Sequence, residues 1–189
     1  MNVTPSVTAV LAISLGVAVG AGAQNPRTQN PAPPASSRPQ TVEHDVREFI
    51  RAAGQSGEAE VAFAGIAKQR SQMAVVRDLA ARLEREHTAT NQEMLTLAKA
   101  RRVDIPEMSA ADRAAQRTLA GLSGAPFDRE YIALMVRGHD ASITLFSAAV
   151  KSTDAAVRAL AEKTLPTLRA HMEAIERARK AIGGTDPPK

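Results

Sequence analysis

Three histidines, His87, His139 and His171, and one glutamate, Glu60, recur where the apolar spacing of a helix requires hydrocarbon. A neutral imidazole offers a lone pair, and a carboxylate adds negative charge. Three imidazoles and one carboxylate at one level suit a single divalent transition metal, Zn, Cu, Mn or Fe. The same groups can instead form a buried polar network that fixes helix register. A third use is a pH-sensitive cluster, because imidazole changes charge near neutrality. The fourth histidine, His44, falls at a linker junction and is expected in solvent.

Two further acids stand beside His87. Glu86 is expected to support the site from behind its ligands, and Glu84 completes a Glu-x-x-His run. Di-iron bundles carry such a run on two helices and a Glu on each of the other two. Here Val136 precedes His139 by three positions and Leu168 precedes His171 by three, so the two-metal set is incomplete. Glu84 is therefore the weakest metal candidate, and its expected role is a surface pair with a nearby Arg.

Other chemistries find no footing. The chain has no Cys, which excludes disulfides, thiolate ligands, Cys nucleophiles and a lipidated Cys. It has no Gly-rich phosphate loop, no G-x-S-x-G and no H-E-x-x-H. The formal charge of +4 comes from intermixed acids and bases, with no Trp, one Tyr and four Phe. Nucleic-acid partners are not expected, since single strands need stacking aromatics. Tyr131 is expected to pack and to hydrogen-bond.

The elements that must position these residues are helices. Helix one is expected from about Glu43 to Arg70, with Val46, Phe49, Ala53, Phe63 and Ala67 on its stripe. Gly54 and Gly57 interrupt it and suggest close helix approach. Helix two is expected over Gln72 to Arg102, capped by Ser71 and striped by Val76, Leu79, Leu83, His87, Thr90, Met94 and Leu97. A connection over residues 107–126 holds its own short helix, opened by Ser109 through Asp112. Helix three is expected to start at Asp128 as N-cap, with Phe127 stapled to Ile132. Its stripe runs Ile132, Met135, His139, Ile143, Phe146, Val150. Asp154 opens helix four, striped by Val157, Leu160, Leu165, Leu168, His171, Ile175 and Ala178, with Pro166 inside it.

Helix rise gives the heights. Glu60 lies ~15 Å and His87 ~21 Å from the end shared by helices one and two. If the long connection crosses the bundle, His139 lies ~17 Å from that end and His171 ~25 Å from the other. All four then fall near mid-height. The fold class is all-α, a ferritin-like four-helix bundle with a short extra helix between helices two and three.

The domain plan is a signal peptide at 1–23, a disordered Pro-rich linker at 24–41, the bundle at 42–183 and a flexible tail at 184–189. The apolar run from Val7 to Val19 is followed by Ala21-Gly22-Ala23, an A-x-A-like cleavage site. Export to the periplasm or the exterior follows, with peripheral attachment to the envelope left open and no membrane span after cleavage. Partners are not legible, and self-association into a homo-oligomer is left open.

The runs Gly57-Glu58-Ala59-Glu60-Val61, Glu86-His87 with Asn91, Phe127-Asp128-Arg129-Glu130-Tyr131 with His139, and Leu165-Pro166-Thr167-Leu168-Arg169-Ala170-His171 resemble a family of exported bacterial proteins. That family is the domain of unknown function 4142, often labelled "predicted outer membrane protein" and grouped with ferritin-like folds. The resemblance covers about residues 45–181. It implies a ferritin-like bundle and an envelope or extracellular location, and it implies no activity. Glu60, His87, His139 and His171 match the family-type positions, and Glu86 stands where the family usually has Asp. An outer-membrane barrel is incompatible with this helical chain. Three functions stay open at this point. One is a non-enzymatic metal-binding protein in envelope stress or metal handling. The second is a ferritin-like metal-dependent oxidase or peroxidase. The third is a structural or interaction module whose His network is only architecture. The non-enzymatic reading fits the incomplete carboxylate set better.

Overall fold

The computed structural model describes residues 38–183. The expected signal peptide, most of the expected linker and the expected tail lie outside the described residues. Five helices follow in order: α1 Arg38–Arg70, α2 Ala74–Arg101, α3 Ala110–Gly121, α4 Gly124–Ala149 and α5 Ala155–Ala181. None of the described helices is long and apolar enough to cross a membrane.

The bundle core is two apolar clusters. One joins Val46, Phe49 and Ile50 of α1 with Met94 and Leu97 of α2, Phe146 of α4 and Val157 and Leu160 of α5. The other joins Phe63 and Ala67 of α1 with Val76 and Leu79 of α2, Ile132 and Met135 of α4 and Ile175 of α5. The partners fix the directions. The start of α1 meets the ends of α2 and α4 and the start of α5. So α1 and α5 run one way, and α2 and α4 run the other. The connection from α2 to α4 therefore crosses the length of the bundle, and α3 travels with it, anchored by buried Leu119. One long crossover is the connectivity of ferritin-like bundles.

Local chemistry explains the helix ends. Ser109 caps α3 by accepting from the Asp112 backbone N–H at 3.0 Å. Asp154 caps α5 by accepting from Ala156 and Val157, and Arg101 holds the same carboxylate at 2.9 Å. Pro166 sits inside α5, on its exposed face.

Three expected boundaries need correction. Helix α1 begins at Arg38 and not near Glu43, so residues 38–41 are helical rather than linker. Pro39 falls in the first turn, where a missing N–H costs no helical bond. Helix α2 begins at Ala74 with Met73 before it, so Ser71 is not its N-cap. Helix α4 begins at Gly124, with Pro126 in its first turn. Asp128 is therefore inside the helix and buried, not an N-cap. The staple from Phe127 to Ile132 lapses with it, and Phe127 instead stacks on Tyr131 at 6.4 Å. Asp128 and Ser71 find each other: the Ser71 hydroxyl donates to Asp128 Oδ1 at 2.6 Å, joining the α1–α2 turn to α4.

The small residues of α1 do admit close neighbours. A Cβ on Gly54 would collide with Ile105, and one on Gly57 with Asn91.

A buried polar belt as the candidate metal centre

The two apolar clusters do not touch across the centre of the bundle without interruption. Between them lies one polar layer, with a residue from each long helix. Glu60 sits between Ala53 and Phe63 on α1, His87 between Leu83 and Met94 on α2, His139 between Met135 and Phe146 on α4, and His171 between Leu168 and Ile175 on α5. All four are buried, His139 completely. The helical stripes carry them there: each occupies a core position of its own helix.

Their side chains converge. His87 Nε2 and His139 Nε2 are 3.3 Å apart. His139 Nε2 and His171 Nδ1 are also 3.3 Å apart. Glu60 Oε2 lies 3.0 Å from His87 Nε2, and Glu60 Oε1 lies 3.8 Å from His139 Nδ1. The three histidines each offer a nitrogen, and these atoms lie within 4.8 Å of one another. Among the described residues neither Glu60 oxygen accepts a hydrogen bond.

The outer nitrogens fix two tautomers. His139 Nδ1 lies 3.0 Å from the carbonyl of Met135, and a carbonyl only accepts, so Nδ1 carries the hydrogen. His171 Nε2 lies 2.7 Å from Glu86 Oε2 and donates to that carboxylate. In their neutral forms His139 Nε2 and His171 Nδ1 are therefore both bare, and they face each other.

Electrostatics keep His139 and His171 neutral. Burial pushes the His171 pKa down, and neighbouring His87 and His139 add to this against the pull of Glu86, leaving it at about 4. Burial likewise lowers that of His139, partly opposed by Glu60. For Glu60, burial pushes the carboxyl up, but the contact with His87 and the other imidazoles outweigh it and hold it below the ordinary range. A neutral imidazole and an ionised carboxylate are the forms that bind cations.

Glu86 stands at the rim. It takes the His171 N–H, and its other oxygen accepts from Arg82 Nε and Arg85 at 3.1 Å. Burial raises its pKa, and His171 and Arg82 bring it down below the usual value. Glu84 is not in the belt: its carboxylate pairs with Lys68, on the outside of α1. The expected Arg partner is thus a Lys. His44 is exposed on α1, as its position implied. Tyr131 is fully buried, but its hydroxyl has no hydrogen-bond partner among the described residues. The expected hydrogen bond is absent there, and burial followed by the charges of Glu60 and Glu84 pushes its pKa up.

Three contributors escape a reading of the stripes. Gly138, next to His139, makes room for the carboxylate: a Cβ there would come within 2.8 Å of Glu60 Oε1. Ser142 and Thr164 are buried polar residues about one and two helical turns from the belt, both toward the start of α1. The signal was available in their spacing, three after His139 and seven before His171, which is the same helical face.

No curated protein matches the chain. Solved structures that resemble it share the helical fold. A DUF305 fragment from Deinococcus radiodurans is 18% identical with a TM-score of 0.64, covering 74% of this chain and 95% of its own. A DUF305 protein from Streptomyces coelicolor, whose name proposes it to be secreted, is 15% identical with a TM-score of 0.64, covering 78% and 98%. A conserved hypothetical protein from Mycobacterium tuberculosis is 18% identical with a TM-score of 0.53, covering 79% and 96%. The family profile described as "Domain of unknown function (DUF4142)" matches residues 30–178, so the belt of Glu60 and three histidines lies wholly within the matched region and the chain belongs to that family.

Proposed function

We propose that the protein binds one divalent transition metal ion at Glu60, His87, His139 and His171. The observation that carries this reading is the convergence of three imidazole nitrogens and one carboxylate. A tetrahedral ion with metal–nitrogen bonds of about 2.0–2.1 Å separates its ligand atoms by about 3.3 Å. The two His–His separations are 3.3 Å. Two bare lone pairs at that distance repel, and a cation between them removes the repulsion. The low pKa of His171 disfavours a proton as that cation at neutral pH.

The supporting contacts are those that metal-bound histidines use. One imidazole donates to a carboxylate and another to a backbone carbonyl, which holds ring orientation and raises ligand basicity. Zn fits the tetrahedral donor set best, with Cu, Mn and Fe as the other candidates. The single central carboxylate suits one ion, whereas the di-iron oxidases use four or more acids around two.

Residues 1–23 read as an export signal, and the name of the Streptomyces relative in fold agrees with a secreted setting. Together these favour a metal-handling role in the cell envelope rather than catalysis. The test is metal analysis of tag-free mature protein, followed by titration with Zn, Cu, Mn and Fe(II). Stoichiometric binding of one ion with a rise in melting temperature is expected. If no ion is found and none raises the melting temperature, the reading fails and the belt is a structural polar network.

A further inference from the structure

A small cavity adjoins the belt. Its lining includes Glu60, His87 and His171 of the belt, Ser142 and Thr164, and the apolar Phe146. The space open to the centre of a water molecule is ≈ 20 Å³, and roughly 10–15 Å³ holds one water. His139, the most buried ligand, does not line it.

We propose that this cavity is an open coordination position that admits a compact monoanion, such as a halide, azide or hydroxide, to the metal ion. The proposal rests on the metal reading above. Three observations support it. First, three of the four ligating residues border the cavity, so an ion at their centre faces it. Second, two residues of the lining can hold a polar guest. Ser142 and Thr164 are 8% and 6% exposed, and among the described residues neither hydroxyl has a hydrogen-bond partner. Elsewhere Thr90, Thr96 and Thr144 return their hydroxyls to the carbonyl four residues back. An apolar void needs no such lining, whereas a polar one holds a ligand that bonds to it.

Third, the charge is unbalanced. A divalent ion with three neutral imidazoles and one carboxylate leaves a net +1 in a buried layer. Glu86 does not cancel it, because Arg82 and Arg85 already hold that carboxylate. A buried uncompensated charge is costly, and a monoanion beside the ion removes it. Half-buried Thr90 and Thr167 continue the lining toward the surface between α2 and α5, which supplies an entry route.

The experiment uses mature protein loaded with Co²⁺, whose visible absorption reports coordination number, and titrates it with azide. Azide is expected to convert a four-coordinate spectrum to a weaker five-coordinate one. Thr164→Val and Ser142→Ala are expected to keep the azide-free spectrum and to weaken azide by about tenfold, the loss for one hydrogen bond to a charged ligand. A Co²⁺ spectrum that azide does not change overturns the open position and leaves the metal site standing. An azide response equal in the parent and both variants overturns the assignment to this cavity. Absence of any Co²⁺ spectrum overturns the metal reading itself, and this inference with it.

Discussion

His139 Nε2 and His171 Nδ1 stand 3.3 Å apart as two bare nitrogens, because each ring spends its hydrogen on the opposite side. Such a pair costs stability, and in the proposed metal-bound form the ion between the two nitrogens would relieve that cost. The first prediction follows. His139→Leu removes one lone pair and one buried dipole at similar volume. Its metal-free form is expected to be at least as stable as the parent, by about 1 kcal/mol or more. The thermal shift on adding Zn is expected to vanish. Denaturant unfolding with and without Zn measures both. A metal-free variant more than ~2 kcal/mol weaker than the parent means that the pair is not repulsive.

Gly138 and Glu60 give the second. The nearest atom to a methyl at position 138 is Glu60 Oε1, at the flexible end of that side chain, which can swing aside. Gly138→Ala is therefore expected to fold with a stability within about 1 kcal/mol of the parent. The displaced carboxylate leaves the ligand geometry, and sites of this kind tolerate only about 0.5 Å of error. Metal affinity is expected to fall by at least tenfold in calorimetric titration. Unchanged affinity would show that Glu60 is not a ligand.

These two residues show what a sequence can reveal. The apolar spacing around His87, His139 and His171 was enough to place them inward, and helix rise was enough to bring them to one level with Glu60. Both are properties of single helices, and the four do meet. Gly138 carries no such mark, because its role depends on how far α1 stands from α4. The same limit explains Asp128. It reads as an N-cap by residue type, but Pro126 lets the helix start earlier, and its partner Ser71 is remote in sequence. Glu84 stands apart from the belt for a related reason: the Glu-x-x-His spacing puts it near His87 along the helix but turned toward Lys68, the surface pairing expected of it with a different cation.

Acid should weaken the metal-free fold. His171 has a folded pKa of about 4 against an ordinary value of 6.5. Between those values the unfolded chain takes a proton that the folded one refuses, so stability rises with pH. The contribution is full above 6.5 and is lost as pH falls toward 4, at most about 3 kcal/mol. His139 shifts in the same direction. The lowered pKa of Glu60 adds a loss only at still lower pH, as its carboxylate protonates. Unfolding free energies measured from pH 8 to pH 4 without metal check this. Stability that grows on acidification would mean that the cluster captures a proton on folding.

The Ser71–Asp128 contact predicts a purely structural effect. Ser71→Ala leaves a buried carboxylate oxygen without its 2.6 Å donor. The expected loss is about 1–3 kcal/mol. The contact ties the turn between α1 and α2 to the start of α4, away from the belt, so metal affinity is expected to stay unchanged. A change in affinity beyond twofold would reveal coupling that the geometry does not contain.

Glu86 is expected to act on the metal through His171. Its carboxylate receives the His171 Nε2 hydrogen at 2.7 Å and holds the ring with Nδ1 turned inward. Glu86→Gln keeps an acceptor but removes the charge that makes the imidazole a stronger donor to metal. Partners of this kind are worth about 10–100-fold in affinity. Glu86→Asp, which restores the charge, is expected to recover part of the loss, and Glu84→Gln, which disturbs only the Lys68 pair, is expected to bind metal as the parent does. Competition against a chromophoric chelator ranks the three variants. Equal affinities for Glu86→Gln and Glu84→Gln would reduce Glu86 to a surface partner of Arg82 and Arg85 and leave the orientation of His171 to packing alone.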